Sequence, residues 1–236
     1  VLDDVQNLKT SSPSPNEFVE AYQQLFDEGY EYILVFPLSK GLSSTYQSAF
    51  IAKSYFDNED NICVFDTGTA NYGVANIIET LLPYFEDKKI KFDFVKKQTE
   101  RRINNSRLMF TVMDLKHLVH GGRLSKLGGL VGSLLHIKPM VKFNKEGKLD
   151  LFKKERSIAN VVKCFTDTVK ECASKFKKVY VKIVDLQQNE LALKLIESLK
   201  SLGNKVVITR VRTVRPTFFA HLGNNGIGIC LTGVEA

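Results

Sequence analysis

Long apolar runs are missing from this 236-residue chain. No stretch reaches the length needed to cross a bilayer, and the opening residues do not read as a signal peptide. Cysteine is scarce. Cys63, Cys164, Cys172 and Cys230 show no C-x-x-C and no metal-ligand spacing, which argues against a zinc module and a disulfide framework. Each lies in or at the end of an apolar pattern, so all four read as reduced packing residues of a cytoplasmic protein. Nucleic-acid motifs are absent as well. The formal charge of +7 admits an anionic partner, but the basic residues are scattered. Lys88, Lys89 and Lys91, then Lys96, Lys97, Arg101 and Arg102, then Lys175, Lys177 and Lys178 read as solvated helix faces. The chain does not begin with Met and opens in a polar, turn-like segment, Asp3 to Ser14. The expectation is that an amino-terminal strand is missing.

What is there is ordinary for a globular α/β protein: 44% hydrophobic and 25% charged residues, enough to bury a full core. Ser14-Pro15-Asn16-Glu17 is a capping box, and the helix after it buries Phe18, Ala21, Tyr22, Leu25 and Phe26 before Gly29. Tyr32–Phe36 and Ile62–Phe65 read as buried strands. Val74, Ile77, Ile78, Leu81, Leu82 and Phe85 form one face of a helix. Strand, helix, strand, helix is the pattern of a parallel sheet. Asp93 to Ser106 reads as a basic helix, and the pattern changes after it. Leu108–Val112 is a strand, and Leu115–Val119 a short helix. Met140–Phe143 and Leu149–Phe152 flank a glycine turn as a hairpin. Helices follow at Ile158–Cys172 and Leu191–Leu202, with strands at Val179–Val184 and Val206–Val211. The expected fold is therefore α/β in two domains. Residues 1–105 carry a parallel sheet flanked by helices, incomplete at its start. Residues 106–236 carry a mixed sheet with helices.

Three stretches carry chemistry. Leu38-Ser39-Lys40-Gly41-Leu42-Ser43-Ser44-Thr45 joins a strand to a helix start, where open α/β sheets place ligands. Its hydroxyls and the unpaired helix N–H groups suit an anionic head group, and one hydroxyl can equally serve as a plain cap. Arg123 to His136 is leucine-rich and interrupted by glycine. It can line a narrow apolar channel, through Leu127, Leu130, Val131 and Leu134, or pack as a core helix. Ala220-His221-Leu222-Gly223-Asn224-Asn225-Gly226-Ile227-Gly228-Ile229 reads as a turn whose backbone N–H groups can face a ligand.

Together with Thr10-Ser11-Ser12-Pro13-Ser14-Pro15 and Gly121-Gly122-Arg123-Leu124-Ser125, these stretches resemble the DegV family of bacterial fatty-acid-binding proteins, over essentially the whole chain. The resemblance implies two α/β domains with a long-chain fatty acid held between them. It implies a lipid carrier rather than an enzyme, needing no cofactor and touching membranes only transiently. The carboxylate would be presented to a separate fatty acid kinase. Thr10 and Ser43 correspond to the carboxylate-binding hydroxyls. Arg123 and His221 correspond to groups facing the head group, its phosphate or the kinase, and Arg156 stands where the family often has a further Arg. Two departures stand out: the family's opening strand ending in Asp-Ser-Thr is not found, and Asn224-Asn225 replaces Pro-Gly. The rival reading is a serine hydrolase acting on acyl esters, with Ser43 as nucleophile and His221 as base. Thr45 stands where a nucleophile elbow wants glycine, and no acidic partner for His221 is evident.

Overall fold

The computed structural model describes residues 10–87, 89–113, 118, 122–123, 137–212, 216–223 and 225–235. Ser14 starts the first helix, α1 (Pro15–Asp27). Its backbone N–H donates to the Glu17 carboxylate at 2.8 Å, and its hydroxyl accepts the Glu17 N–H at 3.4 Å. α1 packs with α2 (Thr45–Lys53) against a parallel pair, β1 (Ile33–Val35) and β2 (Ile62–Val64). Tyr22, Ile33, Ala52 and Ile62 form the centre of this layer, and the rings of Phe18, Phe26 and Phe56 close around it. The Tyr22 hydroxyl is buried but donates to the Ala49 carbonyl at 3.1 Å, and desolvation raises its pKa.

The helix expected to run from Val74 to Phe85 is two helices, α3 (Tyr72–Glu79) and α4 (Leu82–Glu86). Pro83 is the reason. It lacks the N–H that would continue the helix, and it sits instead in the first turn of a new one. Leu82 and Phe85 accordingly leave the buried face and are largely exposed. The next helix, α5 (Phe92–Asn104), brings a second correction. Arg102 is not on a solvated face: only 2% of it is exposed. Its Nη2 donates to the Tyr84 hydroxyl at 3.1 Å, with the guanidinium over that ring.

The remaining strands build one mixed sheet. β3 (Ser106–Val112), β4 (Lys138–Phe143), β5 (Leu149–Glu155), β6 (Lys178–Leu186), β7 (Val206–Val211) and β8 (Gly226–Val234) lie in the order β5-β4-β3-β8-β6-β7. Only β6 and β7 run parallel. β8 is a correction to the sequence reading. Gly226-Ile227-Gly228-Ile229 is no ligand turn. It opens a strand held on both sides, by β3 and by β6, with eight of its nine residues buried.

Alternation along these strands divides the sheet into two faces. Met109, Val181, Ile183, Ile227, Ile229 and Leu231 face α6 (Ile158–Lys175) and α7 (Asn189–Lys200), which add Val161, Phe165, Leu191 and Leu195. Phe110, Val112 and Val141 face the other way, where Leu149 and Leu222 join them. α3 lies against this second face. The Asn76 amide, 2% exposed, donates to the carbonyl oxygens of Tyr180 (3.0 Å) and Cys230 (3.4 Å) and to the Thr232 hydroxyl (2.9 Å). Lys182 and Glu79 add an ion pair beside it. The short helix α8 (Pro216–Leu222) leads into β8. The helix read at Leu115–Val119 and the leucine-rich run after Arg123 lie outside the described residues, apart from Leu118, which is helical and buried.

Gly228 stands between Phe110 of β3 and Val184 of β6. A Cβ there would lie 2.9 Å from the Phe110 Cβ, closer than side chains tolerate. Gly228→Val is expected to cost about 1–3 kcal/mol through overpacking. Urea unfolding should show a lower midpoint with an unchanged slope.

Candidate functional site

The second sheet face is not fully covered. A cavity of about 580 Å³ opens over it. Its floor is the sheet: Leu108, Phe110 and Val112 of β3, Val184 and Leu186 of β6, and Gly228 and Cys230 of β8. Phe143 and Leu149, at the two ends of the β4–β5 turn, form one side. Ala70, Asn71, Tyr72 and Ala75, at the start of α3, form another. Leu38 and Leu42 of the hydroxyl-rich loop complete the apolar lining. A volume of this size with mostly hydrocarbon walls suits a small apolar or amphipathic ligand.

One end of the cavity is polar. The Thr10 hydroxyl and His221 Nε2 lie 2.9 Å apart, across 211 positions of sequence. The Ser12 and Ser43 hydroxyls are 2.8 Å apart, as are those of Ser43 and Thr45. Ser44 is the N-cap of α2 but makes no capping bond; its hydroxyl donates to Ser12 Oγ instead, at 2.9 Å. The loop therefore uses its hydroxyls to build a cluster, and Ser43 Oγ in addition accepts the Thr45 N–H at the start of α2, at 3.3 Å. Arg123, exposed and lining the cavity, adds positive charge. Among the described residues His221 Nδ1 is buried without a hydrogen-bond partner, which a neutral ring tolerates better than an imidazolium. Burial first and the Arg123 charge second hold the His221 pKa below its ordinary 6.5.

Of the residues singled out from sequence, Thr10, Ser43, Arg123 and His221 all line this cavity. Arg156 does not. It is exposed and follows β5, just before the Ser157 cap of α6. Leu127, Leu130, Val131 and Leu134 lie outside the described residues. None of the hydrogen bonds of the described residues joins Ser43 to His221, the pair a hydrolase would need. The strand residues of the floor were missed in the sequence. Alternation marks them as pointing to one face of β3, β6 or β8, but only the position of α3 decides which face stays open.

The amino-acid sequence matches the family model described as "Uncharacterised protein, DegV family" over residues 2–233. This chain belongs to the DegV family. It is 28% identical over 231 residues to a DegV domain-containing protein of Staphylococcus aureus strain COL, covering 97% of this chain and 80% of that one. Among solved structures it is similar to the fatty acid binding DegV family protein of Streptococcus agalactiae. The TM-score is 0.85 at 27% identity, over 99% of this chain and 82% of that one. It is also similar to DegV, a fatty acid binding protein from Bacillus subtilis, with a TM-score of 0.78 at 27% identity, covering 94% and 77%. The α/β architecture, a small parallel sheet beside a larger mixed one, is thus the DegV fold.

The lowered His221 pKa carries a sign. Below pH 6.5 the unfolded chain takes up a proton on this residue that the folded site resists, so stability falls as pH drops from 6.5 toward the folded value. Melting temperature followed between pH 7.5 and 5 should therefore decline less steeply in His221→Gln than in the wild type. An NMR titration of the His221 ring should show a midpoint below 6.5.

Proposed function

We propose that this chain is a lipid carrier that binds a long-chain fatty acid in the cavity. The carboxylate lies at the Thr10–Ser43 end and the tail runs over the floor of β3, β6 and β8. The observation that carries the reading is the polarity of the cavity: hydroxyls, a neutral histidine and an arginine at one end, hydrocarbon elsewhere. The fatty-acid binding stated for the Streptococcus agalactiae and Bacillus subtilis proteins supports it. Magnitudes agree. About fifteen buried methylenes are worth roughly 12 kcal/mol at most, at about 0.8 each. Hydrogen bonds to a charged carboxylate add roughly 1.5–3 kcal/mol each before desolvation. The tail then supplies affinity, and Thr10 and Ser43 supply orientation.

The chain itself performs no chemistry in this reading. Hydroxyls hold a carboxylate more loosely than a buried ion pair would, and this leaves an oxygen available to a separate fatty acid kinase. Arg123 lies where it can meet the phosphate of an acyl-phosphate product, with His221 beside it. Residues 1–105 and 106–236 act as the two domains, with the ligand between them. Arg156, away from the cavity lining, is assigned to the kinase-facing surface. The cytoplasm, where such a kinase finds its nucleotide, is the proposed location.

Lipid extraction and native mass spectrometry of the purified protein should reveal a bound fatty acid. Thr10→Ala with Ser43→Ala should keep the fold and weaken fatty-acid binding on the order of 100–10,000-fold, as expected for two lost hydrogen bonds to a charged group. Wild-type binding in the double variant would remove the head-group assignment. Ester hydrolysis by the wild type alone, lost in His221→Ala, would replace the carrier with the hydrolase.

A further inference from the structure

One fully buried serine organises the hydroxyl-rich loop without lining the cavity. Ser39 is 0% exposed. Its hydroxyl donates to the Gly147 carbonyl at 2.7 Å, in the β4–β5 turn 108 positions away, and accepts the Gly41 N–H at 3.2 Å. Its own N–H donates to the Thr69 carbonyl at 2.7 Å, in the segment that leads to α3. Its carbonyl accepts the N–H groups of Leu42 (3.0 Å) and Ser43 (3.3 Å). Three segments that wall the cavity therefore meet at this residue. They meet backbone to backbone. A Cβ on Gly41 would fall 2.5 Å from the Gly147 carbonyl carbon, and a Cβ on Gly147 would fall 2.1 Å from Ser39 Oγ. Both glycines are required by closeness, and the serine hydroxyl fills the space that remains.

We propose that Ser39 is a positioning residue for the head-group end of the cavity. Its clasp on Gly147 fixes the loop whose next turn carries Ser43, and so fixes where the Ser43 hydroxyl points. With the clasp broken, the Gly147 carbonyl is left buried without its partner. The loop relaxes away from the turn, and the Ser43 hydroxyl loses the register it shares with Ser12 and Thr45. The effect falls on the carboxylate more than on the tail: Leu38 and Leu42 shift with the loop, but the hydrocarbon floor lies on strands the clasp does not touch. This inference rests on the fatty-acid reading above.

The test compares palmitate with methyl palmitate, which has the same tail and no carboxylate. Titration calorimetry on the wild type, Ser39→Ala, Ser43→Ala and the double variant supplies the cycle. Ser39→Ala should weaken palmitate about tenfold, the scale of one hydrogen bond, and methyl palmitate by about twofold or less. On the Ser43→Ala background it should cost palmitate nothing further. If Ser39→Ala fails to fold, Ser39→Cys, whose larger sulfur and weaker donor loosen the clasp without removing it, should show the same preference for harming palmitate. Unchanged palmitate affinity, equal losses for both ligands, or full additivity with Ser43→Ala would each overturn the positioning role while leaving the fatty-acid reading in place. A wild type that binds neither ligand would overturn that reading and this inference with it.

Discussion

The use of one buried amide decides where this molecule can hold a ligand. Asn76 spends its side-chain N–H groups on two carbonyls and a hydroxyl of β6 and β8. A buried amide without partners costs several kcal/mol, so α3 has one place to sit on the sheet. That place is over the Cys230–Thr232 end of β8, with the Lys182–Glu79 pair beside it. The stretch from Gly226 to Cys230 is left to loops: the hydroxyl-rich segment before α2, the start of α3 and the β4–β5 turn. On the opposite face α6 and α7 cover the sheet with leucine, valine and phenylalanine. A helix anchored to one side of the face, and loops over the rest, produce the cavity.

The polar end follows a different rule. Hydroxyls, rather than a buried ion pair, receive the proposed carboxylate, and His221 stays neutral because its ring is desolvated and near Arg123. Hydroxyls and an uncharged imidazole orient an anion, while Arg123 adds its charge from an exposed position. Tight salt bridging here would raise affinity and reduce the reactivity of the carboxylate oxygen.

Much of this fold was legible in the sequence. α1 announced itself through the Ser14–Glu17 box, and the β4–β5 hairpin through its glycine turn. Two elements were not legible. The break between α3 and α4 is hidden because Leu82 and Phe85 continue the apolar spacing, and only Pro83 betrays it. β8 is hidden because Gly-Ile-Gly-Ile reads as a turn, when Gly228 lets Phe110 lie close and Gly226 lets the Thr111 carbonyl and Val112 do the same. Arg102 misled for the same reason: charge says surface, but the Tyr84 ring gives the guanidinium a place inside. At the site, the meeting of Thr10 with His221 is invisible to any local pattern, and both were named only through motif resemblance. Ser39 carried no signal beyond being one more hydroxyl in a loop, since its partner is a backbone carbonyl far along the chain.

The strand order has a consequence for how the chain assembles. β3, β4 and β5 can form an antiparallel block early, and β6 and β7 a parallel pair later, but within the sheet the two blocks touch only through β8. Until that strand is synthesised and inserted, β3 and β6 are both open edges, apolar and able to pair with another chain. Completion of the sheet is thus a late, long-range event with a high entropic cost of closure. A nascent chain stalled before Gly226 would hold two half-sheets and two adhesive edges, and the cavity floor would not yet exist. The cavity floor is complete only once β8 has joined β3 and β6, and the interval before it arrives is when a chaperone has most to shield.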